Sequence, residues 1–193
     1  IGATIRGKTA HAGVAPEKGI SAINIASKSI AKMTLGRIDE ETTANIGSFE
    51  GGGATNIVCD EVKILAEARS IVPEKLDKQT AHMKSVFEET AAAMGGQAEI
   101  EIQLMYPGFR FGEEEHVTQV AVKAVKNIGL TPNLGTSGGG SDANIIAGFG
   151  IPTVNLSVGY EEIHTKNERM PVSELEKLSD LLVEIVKESS KQV

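Results

Sequence analysis

Four histidines, one cysteine and a scatter of carboxylates are the groups in this 193-residue chain able to do hydrolytic or nucleophilic chemistry. His164 stands out, in the run Gly159-Tyr160-Glu161-Glu162-Ile163-His164-Thr165-Lys166-Asn167-Glu168. An imidazole beside carboxylates has the character of one end of a metal site, because zinc favours a neutral nitrogen donor whose other nitrogen is fixed by an acceptor. Glu162 and Glu168 are available as that acceptor, and either also reads as a solvated acid. A two-metal hydrolytic site needs several more ligands converging on one point. His11, His82 and His116 lie far apart, and no His-x-x-x-His, His-x-Asp or Cys-x-x-Cys pairing occurs. Taken alone, such a solitary histidine reads as a structural or solvent-facing residue, and as a metal ligand only if its partners lie outside this sequence.

A second candidate is the run Ser137-Gly138-Gly139-Gly140-Ser141-Asp142-Ala143-Asn144. Glycine-rich turns ahead of a helix can cradle anions with backbone N–H groups. No Gly-Lys-Ser/Thr ending follows, and no Gly-x-Gly-x-x-Gly unit leads from a strand, so nucleotide binding is disfavoured. Close approach of backbone to a peptide is the better reading, with Ser141 or Asp142 capping the helix. Ser141 lacks the Gly-x-Ser-x-Gly setting of a nucleophile. Cys59, the single cysteine, excludes an intrachain disulfide, fits a reducing cytoplasm and reads as a strand residue.

These groups need elements to hold them. Ala3 to Arg6 opens as a strand already in progress, and Gly19 to Thr34 carries Ile20, Ile23, Ser27 and Ile30 at helical spacing. Ala44 to Phe49 and Asn56 to Ser70 read as extended, separated by a glycine cluster. In the second, Val62, Ile64, Ala66 and Ala68 alternate with Lys63, Leu65, Glu67 and Arg69, which implies one covered and one open face. Pro73 starts a long helix ending at Gly95-Gly96, and Ala98, Ile100, Ile102 and Leu104 alternate as a last strand. The order βαββαβ is ferredoxin-like.

After Tyr106-Pro107-Gly108 the pattern changes, giving expected domains of 1–107 and 108–193. The second should hold an amphipathic helix with Val117, Val120, Ala121, Ala124, Val125 and Ile128, and a short strand at Thr131 to Thr136. A helix from Ser141 to Ala147 and a buried strand from Pro152 to Ser157 follow. The final helix spans Ser173 to Ser189, with Ser173 as N-cap and Glu176 completing a capping box. Its face of Leu175, Leu178, Leu182, Ile185 and Val186 should cover a sheet. This is the pattern of part of a layered α/β domain.

Bulk composition narrows the function. With 40% hydrophobic but only 4% aromatic residues and no Trp, the core must be aliphatic, as suits an α/β protein. A net charge of −7 without a basic stripe argues against nucleic acid as a partner. No run of about 18 apolar residues is present to span a membrane.

Three segments in this order resemble the peptidase T family of zinc aminopeptidases, whose relatives act on dipeptides and acylated amino acids. They are Gly7-Lys8-Thr9-Ala10-His11-Ala12-Gly13, Ser137 to Asn144, and His164-Thr165-Lys166-Asn167-Glu168, with Asn56 and Arg69 as further matches. The resemblance implies a ferredoxin-like lid or dimerisation domain at 1–107, and the C-terminal part of a zinc-peptidase α/β catalytic domain at 108–193. The family's His-x-Asp motif, bridging Asp and Glu-Glu pair would lie upstream of the lid, so the chain is expected to be a C-terminal half, inactive alone.

On that resemblance His164 is the last ligand of one of two zinc ions, for which manganese or cobalt could substitute. His11 stabilises the oxyanion of a tetrahedral intermediate, in its own or the partner subunit of a homodimer paired through the lid. Asn56 contacts the substrate backbone, Arg69 clamps a terminal carboxylate, and Gly139, Gly140, Ser141 and Asp142 approach the peptide. Read from the residues alone, His11 is a turn histidine between Thr9 and Gly13, and Arg69 is equally a surface partner of Glu67 or Glu101. The implied activity is metal-dependent hydrolysis of short peptides in the cytoplasm. The alternatives are an amidohydrolase of acylated amino acids and a non-catalytic dimerisation or ligand-binding module.

Overall fold

The computed structural model describes residues 1–191. They form two compact units, Ile1–Gly108 and Phe109 onward.

The first unit is built from β1 (Gly2–Arg6), α1 (Ala22–Lys32), β2 (Gly36–Arg37), β3 (Thr42–Gly51), β4 (Glu61–Ser70), α2 (Pro73–Ala93) and β5 (Gln97–Glu101). The sheet order is β2-β3-β4-β1-β5 and every pair is antiparallel. Each βαβ pair is split by one strand, β1 and β3 by β4, and β4 and β5 by β1, so the fold is ferredoxin-like with a two-residue edge strand added. The period of two in β1 and β4 sends Ala3, Ile5, Val62 and Ile64 inward, while Leu65 on the opposite face is 64% exposed. Across that inner face lie Ala22, Ile25 and Ala26 of α1, and Met83, Phe87 and Ala91 of α2 at spacings of four. Burial of each large side chain among these contributes about 1.5–3 kcal/mol.

Local chemistry explains the element ends. Helix α1 begins at Ala22 rather than Gly19, because Ile20 is held extended by two backbone bonds to Lys8, each 2.8 Å. The Ser21 side chain then accepts from the Asn24 N–H as N-cap. Past the end of α1, Gln79 Nε2 donates to the Thr34 carbonyl at 2.9 Å and His82 Nε2 accepts the Thr34 N–H at 3.4 Å. Residues 56 to 60, expected as strand, form a turn and loop instead, and β4 starts at Glu61. Strand β5 stops at Glu101, where its partner β1 runs out at Gly2, which leaves Ile102 and Leu104 exposed rather than alternating in a sheet.

In the second unit α3 (His116–Asn127), α4 (Asp142–Gly148) and α5 (Val172–Ser190) are the regular elements among the described residues. Val120 and Ala124 of α3 and Leu181 of α5 are buried. Asn127 Nδ2 donates to Glu188 Oε1 at 2.9 Å, tying α3 to the end of α5. The strands expected at 131–136 and 152–157 do not form, because a strand needs a ladder partner and the described residues of this unit offer none. For the same reason the apolar face of α5 covers no sheet, and Leu175, Leu182 and Val186 are exposed. The helix also begins earlier than expected. Pro171, with φ −61°, is the N-cap, so Ser173 lies within the first turn and makes no capping box with Glu176.

Candidate functional site

Beyond the end of β1 the chain keeps running beside the loop that enters β4. The Ala12 N–H donates to the Asn56 carbonyl at 2.9 Å and the Val58 N–H to the Ala10 carbonyl at 2.9 Å, placing His11 directly opposite Ile57. Two close approaches fix this course. A Cβ on Gly7 would lie 2.0 Å from the Ile20 carbonyl oxygen, and one on Gly19 would lie 2.9 Å from the Ala10 Cβ and 3.0 Å from Val58 Cγ1. The first glycine of the Gly7 to Gly13 segment is thus required by packing.

The structure brings His11 and Asn56 together on this loop pair, both exposed. His11 Nδ1 accepts the Gly13 N–H at 3.2 Å. A ring that accepts at Nδ1 and carries one proton holds it on Nε2, which is then an N–H donor.

Arg69 is not part of this group. It lies near the other end of β4, and the eight steps from Glu61 to Arg69 span roughly 27 Å of strand. Its guanidinium fork donates Nε and Nη2 to the two carboxylate oxygens of Glu67, each at 2.9 Å. The hydrogen bond from Arg69 holds the Glu67 carboxyl below its ordinary value of 4.5, and the same bond raises Arg69. Of the two acidic partners considered from sequence, Glu67 is engaged.

In the second unit, Ser137 to Gly140 lead into α4 without regular structure. Ser141 is the N-cap: its Oγ accepts the Ala143 N–H at 3.2 Å, while its own N–H donates to Asn144 Oδ1 at 3.0 Å, closing a capping box. Ser141 Oγ also donates to Asn155 Oδ1 at 3.1 Å. The hydroxyl is committed to local structure, and Asp142 occupies the first helical turn. Gly139 and Gly140 are exposed, and the Gly139 N–H donates to Ser137 Oγ at 3.2 Å. Asn144 was missed as a capping partner from sequence, although Ser-x-x-Asn is a recognisable variant of the box.

His164 sits in a loop closed by Glu161 and Arg169, which exchange backbone bonds of 2.9 and 3.2 Å and form an ion pair at 2.5 Å. Inside it, Thr165 Oγ1 donates to the Glu162 carbonyl at 2.7 Å. Glu162 and His164 both adopt left-handed backbone, φ 52° and 62°, a conformation that persists for non-glycine residues only where the surroundings enforce it. Glu168 accepts the His164 backbone N–H at 2.6 Å. It therefore fixes the loop rather than the imidazole's tautomer, and Glu162 is exposed to solvent. Among the described residues no group of three or more His, Cys, Asp or Glu side chains is placed to hold a metal ion. A zinc site needs about four ligands, so these residues supply one imidazole and do not make up a site.

Comparison with known proteins gives the context of both units. Residues 2–95 match the peptidase dimerisation domain of the M20 family. The chain is 66% identical over 191 residues to the uncharacterized protein YqjE of Bacillus subtilis, covering 99% of this chain and 52% of that protein. In solved structures it is similar to the aminopeptidase PepT of Bacillus cereus, with 65% identity, a TM-score of 0.85, and coverage of 98% of this chain and 51% of that one. It is likewise similar to a tripeptidase of Staphylococcus aureus, with 54% identity, a TM-score of 0.89 and coverage of 96% and 50%. The chain spans about half the length of the relatives it matches. No helix among the described residues is long and apolar enough to cross a membrane. Residues 2–95, most of the ferredoxin-like unit Ile1–Gly108, thus match a peptidase dimerisation domain of the M20 family, in a chain similar along its length to peptidase T.

Proposed function

We propose that this chain supplies the dimerisation and peptide-recognition parts of a cytoplasmic, peptidase T-like exopeptidase that hydrolyses short peptides. It does so within a polypeptide of about the relatives' length, roughly twice its own, and paired with a second copy. The observation that carries the reading is the Gly13 N–H bond to His11 Nδ1, which leaves Nε2 as the donor, on a loop whose backbone pairs with the segment carrying Asn56.

Peptide hydrolysis develops negative charge on the scissile carbonyl oxygen, and a donor fixed in advance at that position stabilises the transition state more than the ground state. His11 is that donor in this reading. Asn56 holds the peptide backbone with its side-chain amide. Arg69 takes the terminal carboxylate with the planar fork that Glu67 occupies in its absence. Gly139 and Gly140 allow close passage of the peptide, with Ser141 and Asp142 holding the adjoining helix start. His164 is read as one ligand of a divalent metal, zinc in the first instance, with the remaining ligands and the general base outside the described residues. The 193-residue chain alone is expected to be inactive.

The test is His11→Ala in the full-length polypeptide, with kcat and KM on tripeptides and metal content by elemental analysis. Loss of an oxyanion donor should lower kcat by about 10²–10³ while metal content and dimerisation stay unchanged. Full retention of kcat removes His11 from the mechanism and leaves the unit a pairing module. His164→Ala should lower the metal stoichiometry, and an unchanged stoichiometry rejects it as a ligand.

A further inference from the structure

Ile57 faces His11 in an antiparallel bridge whose backbone bonds run between the flanking residues, Ala12 to Asn56 and Val58 to Ala10. His11 and Ile57 are therefore a non-hydrogen-bonded pair. In that arrangement the two side chains project from the same face and approach more closely than in the hydrogen-bonded kind, with Cβ atoms about 4.5–5.5 Å apart. Ile57 is nevertheless 53% exposed. A large aliphatic side chain held beside a polar donor, and left uncovered by its own unit, is a surface that something apolar can complete. Val14 extends the same apolar character in the turn that His11 begins. Its N–H donates to the His11 carbonyl at 3.3 Å, and its side chain is 77% exposed.

We infer that Ile57, with Val14 as a secondary contact, is a specificity-determining residue: it receives the apolar side chain of the peptide residue whose carbonyl oxygen meets His11. The inference rests on the reading of His11 given above. A carbonyl oxygen is three bonds from the Cβ of its own residue, so one in hydrogen-bond contact with Nε2 brings the start of that side chain to about 3 Å from the oxygen. The imidazole and the isoleucine side chain have similar reach from neighbouring backbones, so the side chain arrives at the height of Ile57. For an enzyme that releases the N-terminal residue, the side chain concerned is the first. The peptide is the occupant chosen, because the His11 Nε2 donor suits a peptide carbonyl and the Ile57 side chain directly opposite it suits an apolar side chain of the same peptide.

The experiment compares leucylglycylglycine with triglycine as substrates of full-length wild type, Ile57→Thr, Ile57→Val and His11→Ala. Threonine keeps the β-branched shape that suits the bridge while replacing apolar reach with a hydroxyl. Ile57→Thr should lower kcat/KM for leucylglycylglycine about tenfold, the lower end of what apolar pocket changes give, and for triglycine less than twofold. Ile57→Val should keep most of the preference. Equal losses on both substrates, no loss on either, or a change of oligomeric state in Ile57→Thr would each overturn the inference. His11→Ala separates the two levels. If it retains kcat, the reading of His11 fails and takes this inference with it; if it loses kcat while Ile57→Thr leaves the substrate ratio unchanged, only the role of Ile57 fails.

Discussion

Gly7→Ala should loosen the loop that carries His11 without touching His11 itself. The new Cβ would fall 2.0 Å from the Ile20 carbonyl oxygen and 3.1 Å from the Ala22 backbone nitrogen, both parts of the main chain that cannot rotate aside. Contacts below 3.0 Å force a shift, here of about 1 Å. The movement falls on the Lys8–Ile20 pair, whose two backbone bonds are each 2.8 Å. At about 1 kcal/mol net per bond, losing both costs about 2 kcal/mol, a factor of about 30 in local opening. Amide hydrogen exchange reads this directly, as a roughly 30-fold loss of protection at Lys8 and Ile20. If the proposed role of His11 holds and the shift carries through to it, a displacement of about 1 Å should lower kcat/KM of the full-length polypeptide by about 10². Gly2→Ala is the control, since nothing lies within 4 Å of the added Cβ, and its effect should stay within about 0.5 kcal/mol. Unchanged protection at Lys8 and Ile20 in Gly7→Ala would refute the packing argument, whatever the activity does.

Three further outcomes follow from local chemistry. Because Glu67 occupies the fork of Arg69, Glu67→Gln should lower KM for peptides with a free C-terminal carboxylate and Arg69→Lys should raise it about tenfold, the worth of a charge-assisted bidentate contact; a KM indifferent to both rejects the clamp. Ser141→Ala removes the N-cap of α4 at a cost of about 1 kcal/mol, seen as faster exchange of the Ala143 amide, and unchanged exchange there would show that Asn144 alone holds the box. The Asp39 carboxyl is held down from 3.8 to about 2, first by the Glu41 backbone N–H and further by Thr42 and Lys75. A lowered folded-state pKa contributes stability that is complete above 3.8 and disappears as pH falls towards 2. The difference in unfolding midpoint between wild type and Asp39→Asn should therefore close over that window, and a constant difference down to pH 2 argues against it.

What could be seen in the sequence follows from how local each signal is. The period of two in β4 and the spacing of Met83, Phe87 and Ala91 in α2 are properties of single elements, so the ferredoxin-like order was legible before any contact was known. Residues 131–136 and 152–157 carry strand-like composition, yet a strand exists only with a partner, and composition does not report partners. The loop pair is a middle case. His11 and Asn56 each stood out, but their side-by-side placement depends on backbone bonds between residues more than forty positions apart, and on two glycines whose need is steric. Glu168 shows the opposite error, since its proximity to His164 in sequence suggested a bond to the ring, whereas the positive φ of His164 turns the backbone N–H to meet it.

The length of β4 sets a constraint on how one peptide could use both His11 and Arg69. The stretch from Glu61 to Arg69 alone is roughly 27 Å, and the His11 loop lies beyond Glu61. An extended tripeptide spans at most about 11 Å, and the reach of an arginine and a histidine side chain does not close the difference. If both residues act on one short substrate, they must come from different copies of the chain, which gives the dimerisation domain a role in chemistry as well as assembly. Mixing full-length His11→Ala and Arg69→Ala chains and allowing subunits to exchange tests this. Random pairing makes half the dimers mixed, each with one intact composite site and one doubly defective site, so activity should recover to about a quarter of wild type from two nearly inactive parents. Recovery that stays at the average of the parents, with exchange verified by mass, would mean that each site is built from one chain and that His11 and Arg69 do not share a substrate.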